Sequence, residues 1–142
     1  MELVADRKAA WMSALRLDAP GEGRTEFFDV LWPRLDEIID QAPILAEAAV
    51  LNLELFGHEG VSYVEFQLSP FGRKIGDRVI DGEELHGLLR DRFSRSDAKA
   101  TGVTVRLQAN VLRFHPDAEK IVEESWAFVD RHRDLWVSVN LV

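Results

Sequence analysis

A chain of 142 residues with 46% hydrophobic composition can bury one compact core, so a single domain is expected. The formal net charge of −8 argues against nucleic acid or an anionic membrane as a partner, because both require a concentrated basic face. The absence of cysteine excludes disulfides, thiolate zinc ligands and a cysteine nucleophile.

The N-terminus lacks the pattern of a leader or anchor. Charged residues stand where a signal peptide needs an apolar core, and no stretch approaches the roughly 20 apolar residues of a membrane span. We therefore expect no membrane association and a cytoplasmic rather than secreted location, unless a longer parent protein carries a leader.

The chain begins with a helical pattern and a loop. Residues 2–17 have apolar side chains at helical spacing, and residues 18–23 include the proline and glycines of a loop. We therefore interpret residues 1–24 as a helical lead-in and residues 25–142 as the main part of the same domain.

Two more helices are predicted before the first strand. Thr25 can cap the first of them, which Pro33 would kink or restart, and Pro43 opens the second. The first helix carries the apolar side chains Phe27, Phe28 and Leu31 at near-helical spacing.

The first strand signal lies in residues 60–70, GVSYVEFQLSP, between glycine and proline. Read with a period of two residues, this stretch has one apolar face and one polar face. The polar face carries Tyr63, Glu65 and Gln67.

Two more strands follow, each after a helix. The pattern predicts, in order, a loop at 71–80, a helix from Asp81, a turn-like segment at 94–102, a strand at 103–113, a helix from Pro116 and a strand at 135–142. Glu84, three residues after Asp81, completes a capping-box signature. The helix that starts at Pro116 is predicted to bury Ile121, Val122, Trp126 and Val129.

Strands separated by single helices indicate an α/β fold with parallel pairing and right-handed crossovers. Polar side chains alternate along all three strands, and those of the later two are Arg106, Gln108, Asn110, Ser138 and Asn140. An open sheet covered by helices on both faces should be apolar throughout, so a shared polar face favours the wet interior of a barrel. The alternative is a polar face that meets solvent in an unclosed sheet.

Glu65 and Arg106 lie on these polar faces, on neighbouring strands. A buried charge needs a partner, so we expect the two to form a structural ion pair. A catalytic role for Glu65 is the less favoured alternative, because barrel chemistry takes place at the C-terminal strand ends.

The four histidines, His58, His86, His115 and His132, stand singly in the sequence, and no pair has the spacing of metal ligands. We therefore expect no metal site in this chain. The known short motifs of hydrolases, phosphate loops and dinucleotide sites are also absent.

Residues 60–70 resemble the G-V-x-Y-x-E-x-R-x-S-P signature at the second barrel strand of the adenosine deaminase family, with Gln67 at the arginine position. Residues 101–113 are similar to the third strand of that family. Residues 135–142 are similar to the fourth, where Asn140 stands at a position that is commonly aspartate. The resemblance extends from about Glu26 to the end of the chain.

The resemblance implies a partial (β/α)8 barrel of the TIM type, because a complete one needs about 250 residues. It also implies a zinc-dependent hydrolase that converts adenosine or a related purine nucleoside to the inosine-type product and ammonia. The family's zinc ligands and catalytic residues belong to other strands, so zinc is expected in the intact protein, and neither bound zinc nor activity in this segment alone.

The same resemblance implies substrate-binding roles for residues of the segment. Phe27, Phe28 and Leu31 match a helix that covers the purine, and Ser69 and Leu112 match pocket-lining strand ends. Ordinary core packing of an amphipathic helix is the alternative for the two phenylalanines. Because Gln67 and Asn140 depart from the family pattern, adenine, AMP-type and modified adenosine substrates stay open.

A second hypothesis is a non-catalytic, divergent or truncated module that acts in binding or assembly. A barrel that stops after its fourth strand would expose two strand edges, which can pair with another chain. We therefore expect that the segment can self-associate through these edges.

Overall fold

The computed structural model describes residues 5–17 and 19–142; residues 1–4 and 18, which belong to the predicted lead-in and loop, lie outside this description. The chain divides into two compact units, one up to Asp40 and one from Gln41 to Val142. The sequence pattern predicts a single domain with a helical lead-in and loop over residues 1–24. Among the described residues, none of the helices has the length and hydrophobicity of a membrane-spanning segment.

The first unit is helical, with α1 (Ala5–Ser13), α2 (Arg24–Glu26), a π-helical turn (Phe27–Leu31) and α3 (Trp32–Ile39). The cap of α2 is Gly23, not the expected Thr25, and the Gly23 N–H donates to the Glu26 carboxylate at 2.8 Å. The helical path continues past Pro33, which lies in the first turn of α3, where its missing N–H costs little. The wide turn directly before it accommodates the proline.

The second unit contains the strands and the remaining helices. Its elements are α4 (Ala42–His58), β1 (Tyr63–Leu68), β2 (Lys74–Ile75), β3 (Arg78–Val79), α5 (Gly82–Ser94), α6 (Ser96–Ala100), β4 (Thr104–Val111), α7 (Ala118–Arg131) and β5 (Trp136–Leu141). Two predicted helix starts are confirmed. Pro43 lies in the first turn of α4, and the Asp81 carboxylate caps α5 by accepting the Glu84 N–H at 2.8 Å.

Two segments differ from the prediction. The expected loop at 71–80 contains the antiparallel β2–β3 hairpin, because Gly76 adopts a φ of 61° and allows a two-residue turn. The Gln41 side chain supports this turn, donating to the Gly76 carbonyl at 3.1 Å and accepting its N–H at 2.9 Å. The expected turn at 94–102 contains the short helix α6.

The central sheet is a three-stranded parallel sheet with the order β1-β4-β5. The predicted parallel pairing of successive main strands is therefore confirmed, as is the mixed α/β class. One face is buried, and its core includes Leu68, Val105, Leu107, Ala109 and Trp136. Helices α4, α5 and α7 contribute buried side chains to the same core.

Strand β5 joins the sheet with an irregularity. Leu107 is the register partner of Trp136, but Gln108 is the partner of Ser138, so Val137 is an extra residue. The insertion puts Trp136 beside Leu107 on the buried face and Ser138 beside Gln108 on the polar face, which simple alternation from Trp136 would not allow.

The buried side of α7 differs from the prediction. Trp126 is 43% exposed, whereas Ser125 and Phe128 join Val129 in the interior. The Phe128 ring sets this orientation, because it packs edge-on against Trp136 at 5.1 Å and against Phe71 at 6.0 Å. The orientation therefore depends on partners far away in the sequence.

Candidate functional site

The polar face of the central sheet brings together chemistry-bearing side chains from three strands. The parallel register makes Glu65 the partner of Arg106, Gln67 that of Gln108, and Asn110 that of Asn140. The prediction that Glu65, Arg106 and Asn140 point to the same side is confirmed. These side chains are half-buried or exposed, in contrast to the opposite, buried face.

Glu65 is the only carboxylate that β1, β4 and β5 contribute to this face. The Tyr63 hydroxyl donates to one of its oxygens at 2.6 Å, and the Gln108 amide donates to the other. These two hydrogen bonds hold the pKa of Glu65 below its usual range, and the bond from Tyr63 has the larger effect. The same carboxylate raises the pKa of the Tyr63 hydroxyl.

The expected buried ion pair between Glu65 and Arg106 is not formed. The Glu65 side chain is exposed and uses neutral donors, while the Arg106 guanidinium donates to the Val105 carbonyl at 2.8 Å. The reason is that this face is open to water, so neither charge needs the other for solvation. Adjacent positions in the register do not by themselves make a contact.

Asn110, near the C-terminal end of β4, carries a polar atom without a partner. Its Oδ1 is buried and accepts no hydrogen bond from the part of the chain that the structure describes. A buried carbonyl oxygen of this kind is costly unless something donates to it. A polar ligand placed at this end of the sheet would supply a donor.

Ser69 and Leu112 both follow parallel strands, so the structure places them at the same C-terminal edge of the sheet. The Ser69 hydroxyl already takes part in a local turn, since it accepts the Phe71 N–H and donates to the Phe71 carbonyl, each at 3.2 Å. Leu112 is 48% exposed. Leu112 therefore offers an apolar surface beside the polar face, while Ser69 shapes the backbone after β1.

Phe27, Phe28 and Leu31 lie in the π-helical turn of the first unit. The two phenylalanine rings pack edge-on at 5.0 Å, and Phe28 is 54% exposed, whereas Leu31 is buried. Leu31 thus has the core role that an amphipathic helix predicts, and Phe28 leaves an aromatic face open for contact.

The histidines are not all isolated, contrary to the expectation from their spacing. His86 on α5 and His132 after α7 stack with ring centroids 4.1 Å apart, and Asp134 joins them. Burial, followed by the neighbouring His132, lowers the pKa of His86 and so favours its neutral form. Sequence spacing carried no signal for the pairing of the two histidines, because His86 lies on α5 and His132 follows α7.

The comparisons with known proteins give no family for this chain. No protein-family model matches it, and no curated protein matches it. The resemblance to adenosine deaminases therefore stays an expectation from the motifs of residues 60–70, 101–113 and 135–142.

The Glu65 hydrogen bonds predict a measurable pH effect. In Tyr63→Phe we expect the pKa of Glu65 to rise toward its ordinary value, because the largest stabilisation of its charged form is removed. A folded-state pKa below the unfolded one gives stability that is present above the unfolded pKa and is lost as the pH falls. The variant should therefore lose less stability on acidification than the parent.

Carboxyl carbon NMR titration measures the pKa directly. Glu84 is the internal control. Its pKa is lowered by Arg78 on β3, so the loss of the Tyr63 hydroxyl on β1 should leave the Glu84 titration unchanged. An unchanged Glu65 titration in Tyr63→Phe would contradict the hydrogen bond.

Proposed function

We propose that the chain is part of a zinc-dependent hydrolase similar to adenosine deaminases, which converts adenosine or a related purine nucleoside to the inosine-type product and ammonia. In this proposal the chain supplies a pocket wall and a lid helix, and the metal centre belongs to the rest of the intact protein. The observation that supports it best is the polar face shared by β1, β4 and β5.

The polar face supports a partial barrel for a physical reason. Polar groups on three adjacent parallel strands are costly if a helix layer covers them, but they suit the lumen of a barrel that holds a polar ligand. In this arrangement β1, β4 and β5 are the second, third and fourth barrel strands. Ser69 and Leu112 then lie at the edge where barrel enzymes bind their substrates.

The polar face does not fit a zinc ion. Among the described residues of its three strands, it offers the carboxylate of Glu65 and no histidine, whereas a catalytic zinc site needs three protein ligands. The residues present can bind a nucleoside: Asn110 Oδ1 can accept a hydrogen bond from it, and Arg106 and Asn140 can donate to its ring nitrogens and hydroxyl groups.

We expect Asn110→Leu, made in the intact zinc-loaded protein, to raise the KM for adenosine roughly tenfold, the loss of about one hydrogen bond. The fold should be retained, because Asn110 Oδ1 has no partner in the described chain. Thr104→Val is the matched control, since Thr104 lies on the polar side of the same strand at its opposite end. Ammonia release from adenosine, AMP and adenine gives the rates.

The deaminase proposal fails if the intact zinc-loaded protein releases ammonia from none of these purines. The alternative of a binding or assembly module would then be favoured by a specific feature. Within the described residues, β1 and β5 are edge strands that each lack a second neighbour in the sheet. Such edges are templates for pairing with another chain, and self-association without deamination would support this function.

A further inference from the structure

Three metal-ligating side chains converge where α5, the end of α7 and the start of β5 meet. His86, His132 and Asp134 each offer one ligand atom, and these atoms all lie within 4.8 Å of one another. Zinc bonds of about 2.0–2.2 Å place tetrahedral ligand atoms about 3.4 Å apart, so small side-chain rotations would close the site. The carboxylate of Asp134 already lies 3.8 Å from Nε2 of His86.

His86 is a buried polar side chain with an unused nitrogen. The residue is 6% exposed, and its Nδ1 has no hydrogen-bond partner within the described part of the chain. Buried imidazoles normally satisfy at least one nitrogen, since an unpaired polar atom is costly. The ring therefore has a nitrogen available for a ligand.

The electrostatics of the cluster suit a cation. Two carboxylates flank the stacked histidines, Asp134 near His86 and Glu83 with Oε2 at 2.9 Å from Nε2 of His132. Despite this contact, the buried His132 Nε2 makes no hydrogen bond within the described residues. Metals bind the neutral form of an imidazole ring through one of its nitrogens.

Two arginines near the cluster weaken its attraction for a cation but do not prevent binding. Arg131 contacts Glu83 at 3.2 Å, and Arg90 lies 4.0 Å from Asp134. Both are more than half exposed, so water screens their charge. Glu83 is also 56% exposed and can rotate to become the fourth ligand, a place that a water molecule can otherwise fill.

We propose that His86, His132 and Asp134 form a binding site for a zinc-type divalent cation that links α5 to the α7–β5 connection. The two imidazole nitrogens favour zinc over magnesium or calcium, which prefer oxygen ligands. The His132 ring packs against Phe128 at 4.5 Å, and Phe128 packs against Trp136 on the buried side of the sheet. The site is thus separate from the polar face, and it does not depend on the proposed deaminase function.

The test is zinc binding by the tag-free 142-residue chain after removal of metals with a chelator. We expect one zinc ion per chain by equilibrium dialysis, and a folded-to-unfolded ratio about 100-fold higher at free zinc 100 times above Kd. His86→Gln and His132→Gln should weaken zinc binding at least tenfold. His58→Gln removes an exposed histidine outside the cluster and should leave the affinity for zinc unchanged.

Asp134→Asn separates loss of a zinc ligand from unfolding. Asp134 is about half exposed, so its substitution should disturb the fold less than substitution of a buried histidine. It should weaken zinc binding while the metal-free melting temperature stays near that of the parent. Cobalt(II) absorption spectra report the coordination number and geometry of the bound metal and should change in the cluster variants alone. Absence of stoichiometric zinc in the parent chain, or equal affinity in folded Asp134→Asn and His86→Gln, would overturn the proposal.

Discussion

Leu53→Ala is expected to lower the free energy of unfolding by about 2–5 kcal/mol. Leu53 is 1% exposed and belongs to the core that α4 forms with the sheet. Removal of its buried methyl groups loses their transfer free energy and leaves a cavity that close-packed neighbours fill only in part. A loss at the upper end of this range would indicate that the surrounding core does not relax.

Leu55→Ala is the matched control for this change. Leu55 lies on the same helix, and the substitution removes the same atoms, but the side chain is 62% exposed. Because leucine and alanine have similar helix propensities, we expect a change within about 0.5 kcal/mol. Urea unfolding followed by circular dichroism measures both variants. Equal losses in the two would mean that α4 packs with a different face than the structure shows.

Gly57→Ala is expected to destabilise the protein by about 1–3 kcal/mol or more, although alanine is the better helix former. Gly57 lies near the end of α4, where a Cβ would come within 2.5 Å of the Thr101 carbonyl oxygen. A backbone oxygen cannot rotate away as a flexible side chain can. The segment before β4 would have to move, or α4 would have to separate from it.

Gly87→Ala tests the same substitution without the clash. Gly87 is in the interior of α5, and a Cβ there meets no atom within 4 Å. We expect stabilisation by up to about 1 kcal/mol, because alanine loses less backbone entropy in a helix. The two glycine variants should therefore shift the urea midpoint in opposite directions. A stabilised Gly57→Ala would show that α4 and residue 101 are not in close contact.

The two candidate sites have different physical requirements. The polar face needs closure by more chain before it becomes a pocket, because its side chains are open to water in this structure. The histidine cluster needs no other strand, since its three ligands come from elements of one compact unit. Zinc binding by the 142-residue chain and deamination by the intact protein can therefore succeed or fail independently.

The sequence alone determined the features that depend on neighbours close along the chain. Alternation of polar and apolar residues predicted β1, β4 and β5, and the intervening helices predicted their parallel order. The start of α5 was also predictable, because Asp81 and the N–H that it accepts are three residues apart. In these cases a local pattern and its physical consequence occupy the same few residues.

Only the tertiary structure decided which side chains of different elements meet. The sequence put Glu65 and Arg106 on one face, but exposure to water and the proximity of Tyr63 and Gln108 determined the hydrogen-bond partners of Glu65. The orientation of α7 followed from the packing of Phe128 against Trp136. His86 and His132 meet because the end of α7 lies beside α5, and no spacing in the sequence encodes the distance between side chains so far apart along the chain.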